Sequence, residues 1–163
     1  MKYEATTTYT EAMITAAARK YWVRKYLHDA ILSVVVLCVV SYFFFVESYK
    51  NWATGFMLGI ALIYTITAYA IFFVWRARSL AVFRAMGKPL AKWSFAEDAI
   101  SCESGAGKAE LKWSQIKKLW RYGDVWLLFY SSGAYSTLPV ETLSGEAKNF
   151  IEQRIREAGG RVT

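Results

Sequence analysis

Residues 30–46 read AILSVVVLCVVSYFFFV and residues 51–75 read NWATGFMLGIALIYTITAYAIFFVW. Neither stretch contains a charged side chain. A helix that crosses hydrocarbon needs about 20 mostly apolar residues, with a range of about 17–25. Both stretches qualify, the first at the lower limit. A helix packed in a water-soluble core would keep a polar stripe, and neither stretch has one. Peptide groups in hydrocarbon have no water to bond, so both runs must be helical. Only Glu47, Ser48, Tyr49 and Lys50 separate them, which predicts a tight transmembrane hairpin.

The flanks predict its orientation. Lys and Arg are retained on the cytoplasmic side of a membrane. Residues 1–29 carry Lys2, Arg19, Lys20, Arg24 and Lys25, and residues 76–92 carry Arg76, Arg78, Arg84, Lys88 and Lys92. The tip carries Lys50 alone. Both termini are therefore expected in the cytoplasm of a multi-pass membrane protein. The first apolar run starts too late for a cleavable signal peptide, and no small-residue cleavage site accompanies it. Tyr49 and Trp52 are expected at one interface, and Trp22, Tyr26 and Trp75 at the other, where amphipathic rings are favoured.

Within the spans, Gly55 and Gly59 form a GxxxG that lets helix backbones approach, inside the hairpin or between copies. Ser41, Thr65 and Thr67 are expected to bond carbonyls of their own helix. No Asp, Glu, Lys, Arg or His lies at mid-membrane depth, where ion and proton pathways usually show one. Two helices also cannot enclose a substrate path, so a transporter is excluded. His28 and Asp29 read as interfacial residues, because the single histidine has no partner ligands in sequence.

Outward from the spans, residues 1–29 are expected as a cytoplasmic N-terminal helix. Its regular part is 11–28, capped by Thr10. Residues 76–91 read as a basic juxtamembrane helix stopped by Gly87 and Pro89. Arg19, Lys20, Arg24, Lys25, Arg76, Arg78, Arg84 and Lys88 are candidate contacts for anionic lipid headgroups, without specificity for any one lipid.

From residue 92 to 163 the pattern changes to period two, the strand signature. Strand-like KWSF, AISCE, KAELKW, KKLWRY, DVWLLFY and AYSTLP alternate with turns at 96–98, 104–107, 123 and 131–134. Ser144 then caps a helix with an apolar stripe of Ala147, Phe150, Ile151, Ile155 and Ala158, and Gly159 and Gly160 end it. Leu111, Trp113, Ile116, Leu119, Trp126 and Leu128 are assigned to the core. Lys117 and Lys118 are the possible partner surface.

Composition limits the function. The 163 residues carry 20 Lys and Arg against 13 Asp and Glu, a net charge of +7. Residues 93–163 hold nine of each sign, so the excess flanks the apolar runs. A nucleic-acid surface would put it on the folded module. Cys38 and Cys102 are too separated to suggest a disulfide framework. No catalytic residue, metal cluster or cofactor motif is present: the SGAG turn lacks the phosphate-loop spacing, and neither GxSxG nor HExxH occurs. Glu97 and Asp98 read as turn chemistry.

The stretch from Phe95 through Leu143 resembles the C-terminal domain of YcxB-like bacterial membrane proteins. Its carriers are Phe95 with the following acidic pair and Ile100, Lys112-Trp113-Ser114-x-Ile116, the aromatic-rich Trp126 to Tyr130, and Leu138-Pro139. The two preceding spans match the family layout. The resemblance implies a membrane protein of α+β class: a two-helix hairpin and a small antiparallel, pleckstrin-homology-like barrel closed by the C-terminal helix. It implies no catalytic residue. The expected function is a non-enzymatic, membrane-anchored interaction module with a protein partner or a second copy of itself. A phosphoinositide pocket could draw on Lys108, Lys112, Lys117 and Lys118, but Glu103 and Glu110 offset them. The alternative is a membrane-embedded immunity protein that neutralises a secreted bacterial toxin.

Overall fold

The computed structural model describes residues 2–46, 51–85, 87, 89–105 and 107–163. The expected hairpin tip with Tyr49, and the headgroup contact Lys88, lie outside these residues. The strands are β1 (Tyr3–Thr8), β2 (Leu90–Phe95), β3 (Ala99–Ser104), β4 (Gly107–Lys112), β5 (Ile116–Arg121), β6 (Val125–Tyr130), β7 (Tyr135–Pro139) and β8 (Arg161–Val162). The helices are α1 (Glu11–Phe45), α2 (Trp52–Ala85) and α3 (Gly145–Glu157), with a 3-10 turn at Trp113–Gln115. Contacts divide the chain into residues 18–79 and a second unit made of residues 1–17 with 80–163.

Both long helices start at capped ends. The Thr10 hydroxyl accepts from the Met13 amide at 3.2 Å, as expected. Asn51 Oδ1 accepts from the Thr54 amide at 2.9 Å. At about 1.5 Å per residue each helix is about 50 Å long, more than the roughly 30 Å of bilayer hydrocarbon. Only 11% and 6% of their most apolar windows are buried. The core helix of a soluble protein would hide that surface. These are two helices long and apolar enough to cross a membrane.

Small residues make the seam between them. Ala30 and Ser33 on α1, with Ala61 and Ala68 on α2, are the buried positions. The Thr65 hydroxyl donates to Ala61 O at 2.8 Å and reaches Ser33 O at 3.4 Å. Thr67 donates to Ile63 O of its own helix at 2.8 Å, as expected. Gly55 and Gly59 of the GxxxG are half-buried on α2. A Cβ on Gly55 would meet only Phe44, at 3.9 Å, and one on Gly59 would meet nothing within 4 Å. Ala and Ser at the seam let the backbones approach.

The other unit differs from expectation in three ways. First, residues 3–8 are not helical. They form β1, which pairs antiparallel with β2 over six residue pairs, from Tyr3↔Phe95 to Thr8↔Leu90. Helix begins only at Glu11. The folded module is therefore not 92–163 alone, because the segment before the apolar hairpin completes its sheet. Second, the strands form two four-stranded sheets, ordered β1-β2-β3-β4 and β7-β6-β5-β8, with no closed barrel among the described residues. Third, the chain ends in β8, parallel to β5 through Lys118↔Arg161 and Leu119↔Val162.

One core joins the two sheets and α3. Trp93, Phe95, Ile100, Trp113, Ile116, Leu119, Trp126, Leu128 and Leu138 are buried in it with Ile151 and Ile155, while Leu111 is half-buried at its margin. Tyr9 ties the sheets together. Its hydroxyl donates to Thr137 O at 2.5 Å and accepts from Trp93 Nε1 at 3.1 Å. Ser144 caps α3 as expected, accepting from the Ala147 amide at 3.1 Å. Gly159, at φ +83°, adopts the left-handed conformation that ends it.

Candidate functional site

The sequence-assigned positions fall into separate groups rather than one site. Near the base of the hairpin, Trp22 Nε1 donates to Ala68 O at 3.3 Å, and its ring lies 5.9 Å from those of Tyr69 and Phe72. Tyr21 lies 5.5 Å from Trp75. Around these rings Arg19, Arg24, Lys25, Arg76 and Arg78 are exposed and Lys20 half-buried, with His28 and Asp29 exposed one turn on. The Lys25 ammonium donates to the Tyr21 hydroxyl at 3.0 Å and lies over the rings of Tyr21 and Tyr26. Arg84 is exposed but engaged, with Nε donating to Glu11 at 3.1 Å.

Lys117 and Lys118 do not act as a pair. The register of β5 against β6 shifts between Ile116 and Lys118, which leaves Lys117 exposed at the irregularity. Lys118 is half-buried, its ammonium 5.1 Å from the centre of the Trp120 ring. Spacing alone gave no sign of that bulge.

Two charged surfaces escaped the sequence reading. On the outer face of the first sheet, Lys2, Glu4, Lys92, Glu103, Lys108 and Glu110 surround a shallow depression of about 210 Å³. Glu4 accepts from both Lys2 and Lys92 at 2.9 Å. Those two ammonium groups, Lys2 foremost, pull its carboxyl down to about 2. Period two had set Glu103 on the face opposite Ile100 and Cys102, while Lys2 and Glu4 were expected in a helix. Which strands lie side by side it could not show.

The second surface is an open cleft of about 340 Å³ lined by Glu97, Asp98, Lys112, Ser114, Arg154 and Glu157. Arg154 Nη1 donates to Glu157 at 2.9 Å, and Nη2 to the Glu97 carbonyl oxygen. Gln153 and then Arg154 hold the Glu157 carboxyl below its usual range. A general acid or base at neutral pH needs the opposite shift. Arg154 and Glu157 pair in the cleft, and no metal-holding group of three His, Cys, Asp or Glu occurs among the described residues.

Fold and surfaces together define a class: an α+β protein whose two sheets and closing helix accompany two helices of membrane-crossing length. A family model described as YcxB-like protein matches residues 95–153, from the end of β2 into α3, so the chain carries a YcxB-like domain there. No curated protein matches the chain, and no solved structure does.

Proposed function

We propose that the protein is a membrane-anchored, non-enzymatic interaction module that presents its YcxB-like domain at the cytoplasmic face of a bacterial inner membrane. One observation carries this reading. The apolar windows of α1 and α2 are almost wholly uncovered, and hydrocarbon is the solvent that fits such surface. Basic residues crowd the helix ends next to the folded domain, the pattern of a cytoplasmic flank. The β1–β2 ladder supports a hairpin path, because the strands at its two ends hydrogen-bond to each other and so share one side of the bilayer. Two four-stranded sheets, antiparallel except for the β5–β8 pair, with a C-terminal helix also resemble the parts of a pleckstrin-homology-like domain. The exposed Arg19, Arg24, Lys25, Arg76 and Arg78 would meet anionic headgroups without specificity.

The test uses the full chain with Cys38 and Cys102 replaced by alanine and one cysteine introduced at Ser131, an exposed turn position. A membrane-impermeant maleimide should leave intact cells unlabelled and label the protein after lysis. It should also sediment with membranes and enter solution only with detergent. Labelling of intact cells, or an aqueous protein, overturns the proposal.

A further inference from the structure

The strand β4 is the last strand of its sheet, paired with β3 over six unbroken residue pairs and with no described strand on its other side. Gly107 to Glu110 and Lys112 are exposed. An uncovered strand edge presents a row of N–H and C=O groups that can template another strand. The other three outer strands are poorer templates. β8 has two residues, and β7 ends at Pro139, which has no N–H to donate. β1 carries one charge, Glu4, already held by Lys2 and Lys92, so it offers no opposite-charge pair to select a single register.

We infer that β4 is a docking edge for a second copy of this chain, pairing antiparallel with its own equivalent about Ala109 to join two four-stranded sheets into one of eight. The charge pattern selects the partner. Lys108, Ala109 and Glu110 laid antiparallel on themselves set Lys108 opposite Glu110 of the second copy, and Glu110 opposite Lys108 of the second copy. Ala109 then faces Ala109, and Gly107 faces Leu111. Opposite charges directly across a ladder stabilise it, and like charges oppose it. Pairing centred on Glu110 would set Glu110 against itself and Lys108 against Lys112. Pairing centred on Leu111 runs out after three residues, where the 3-10 turn begins at Trp113. A one-residue slip would place the charged outer face of one copy beside the core face of the other. Only the Ala109-centred register keeps five residues paired, two ion pairs formed and both faces continuous.

The inference rests on the interaction-module reading and deepens it by naming the partner. The two fail separately: impermeant labelling reports the side of the membrane, and the following experiment reports the strand. The full chain in mild detergent carries Ala109→Cys with Cys38 and Cys102 replaced by alanine. Cys102 must go because it lies directly opposite Ala109 in the β3–β4 ladder and would capture the new thiol within one chain. Mild oxidation should give a covalent dimer, and a cysteine at the exposed Ala134 should not. Lys108→Glu or Glu110→Lys alone should lower the dimer yield about tenfold, and the double reversal should restore it. Light scattering on the same variants without introduced cysteine should show the same pattern of mass. A monomer that still unfolds cooperatively, or a dimer indifferent to the charge reversals, overturns the inference.

Discussion

Cys102 shows how local burial sets the chemistry of a single residue. It lies on β3 opposite Trp93 and Ala109, half-buried at the margin of the core, and burial pushes its thiol up to about 11. Reaction with alkylating reagents requires the thiolate. At pH 8 a Cys38→Ala variant should therefore be alkylated about 100-fold more slowly when folded than after denaturation. The same shift makes stability depend on pH. A thiol that ionises in the unfolded chain from about 9, but in the folded chain only near 11, favours unfolding across that window. Stability should hold below pH 9 and fall as pH rises toward 11, and Cys102→Ala should flatten the fall. Equal alkylation rates for the folded and denatured protein would show that the strand margin does not shield the thiol.

At the scale of elements, the end of α3 is the tightest fit. Gly160 follows the left-handed Gly159, and its amide donates to Ile155 O at 2.8 Å. A Cβ on Gly160 would come within 2.7 Å of Ile155 Cγ2 and 2.8 Å of Ile116 O, so backbone would have to move. Gly160→Ala should cost about 1–3 kcal/mol, read as a lowered denaturation midpoint in detergent, whereas Gly123→Ala, with open space around it, should cost far less. The sequence marked both glycines as a helix stop but gave no hint that the second meets β5, since that contact spans 44 residues. The same limit explains the other differences. β2 through β7 were legible because alternation and turn residues are local signals. β1 was not, because Tyr3 to Thr8 have no alternation of large apolar side chains and become a strand only through pairing with β2. Period two shows that a strand exists and leaves its neighbour open, so it could not test the barrel that the family resemblance implied, and two sheets form instead. GxxxG drew attention by its pattern, while the seam through Ala30, Ser33, Ala61 and Ala68 has no pattern to read. Nor did spacing mark the bulge beside Lys117 and Lys118.

On the scale of the whole molecule, the chain is an α+β domain interrupted between its first and second strands by an apolar hairpin. Two residues separate β1 from α1, and four separate α2 from β2. The segments before and after residues 47–50 are thus joined by more than their peptide link. They share the six-pair β1–β2 ladder, the Tyr9 amide bond to Pro89 O at 2.7 Å, the Glu11–Arg84 ion pair and the small-residue seam. A chain link contributes to such an assembly mainly by lowering the entropic cost of bringing its parts together. The ladder and the seam remain when the link is cut. A protease site placed within residues 47–50 should therefore be cleavable in mild detergent without separating the fragments, which should co-elute as one particle with unchanged tryptophan emission. Deleting residues 2–8 removes the ladder and leaves β2 as a bare edge beside Trp93. In that variant the fragments should come apart after cleavage, and tryptophan emission should shift to the red as the core opens. If the intact-strand protein also falls apart on cleavage, the ladder is too weak to join the two segments, and β1 would be an accessory strand rather than part of the domain's frame.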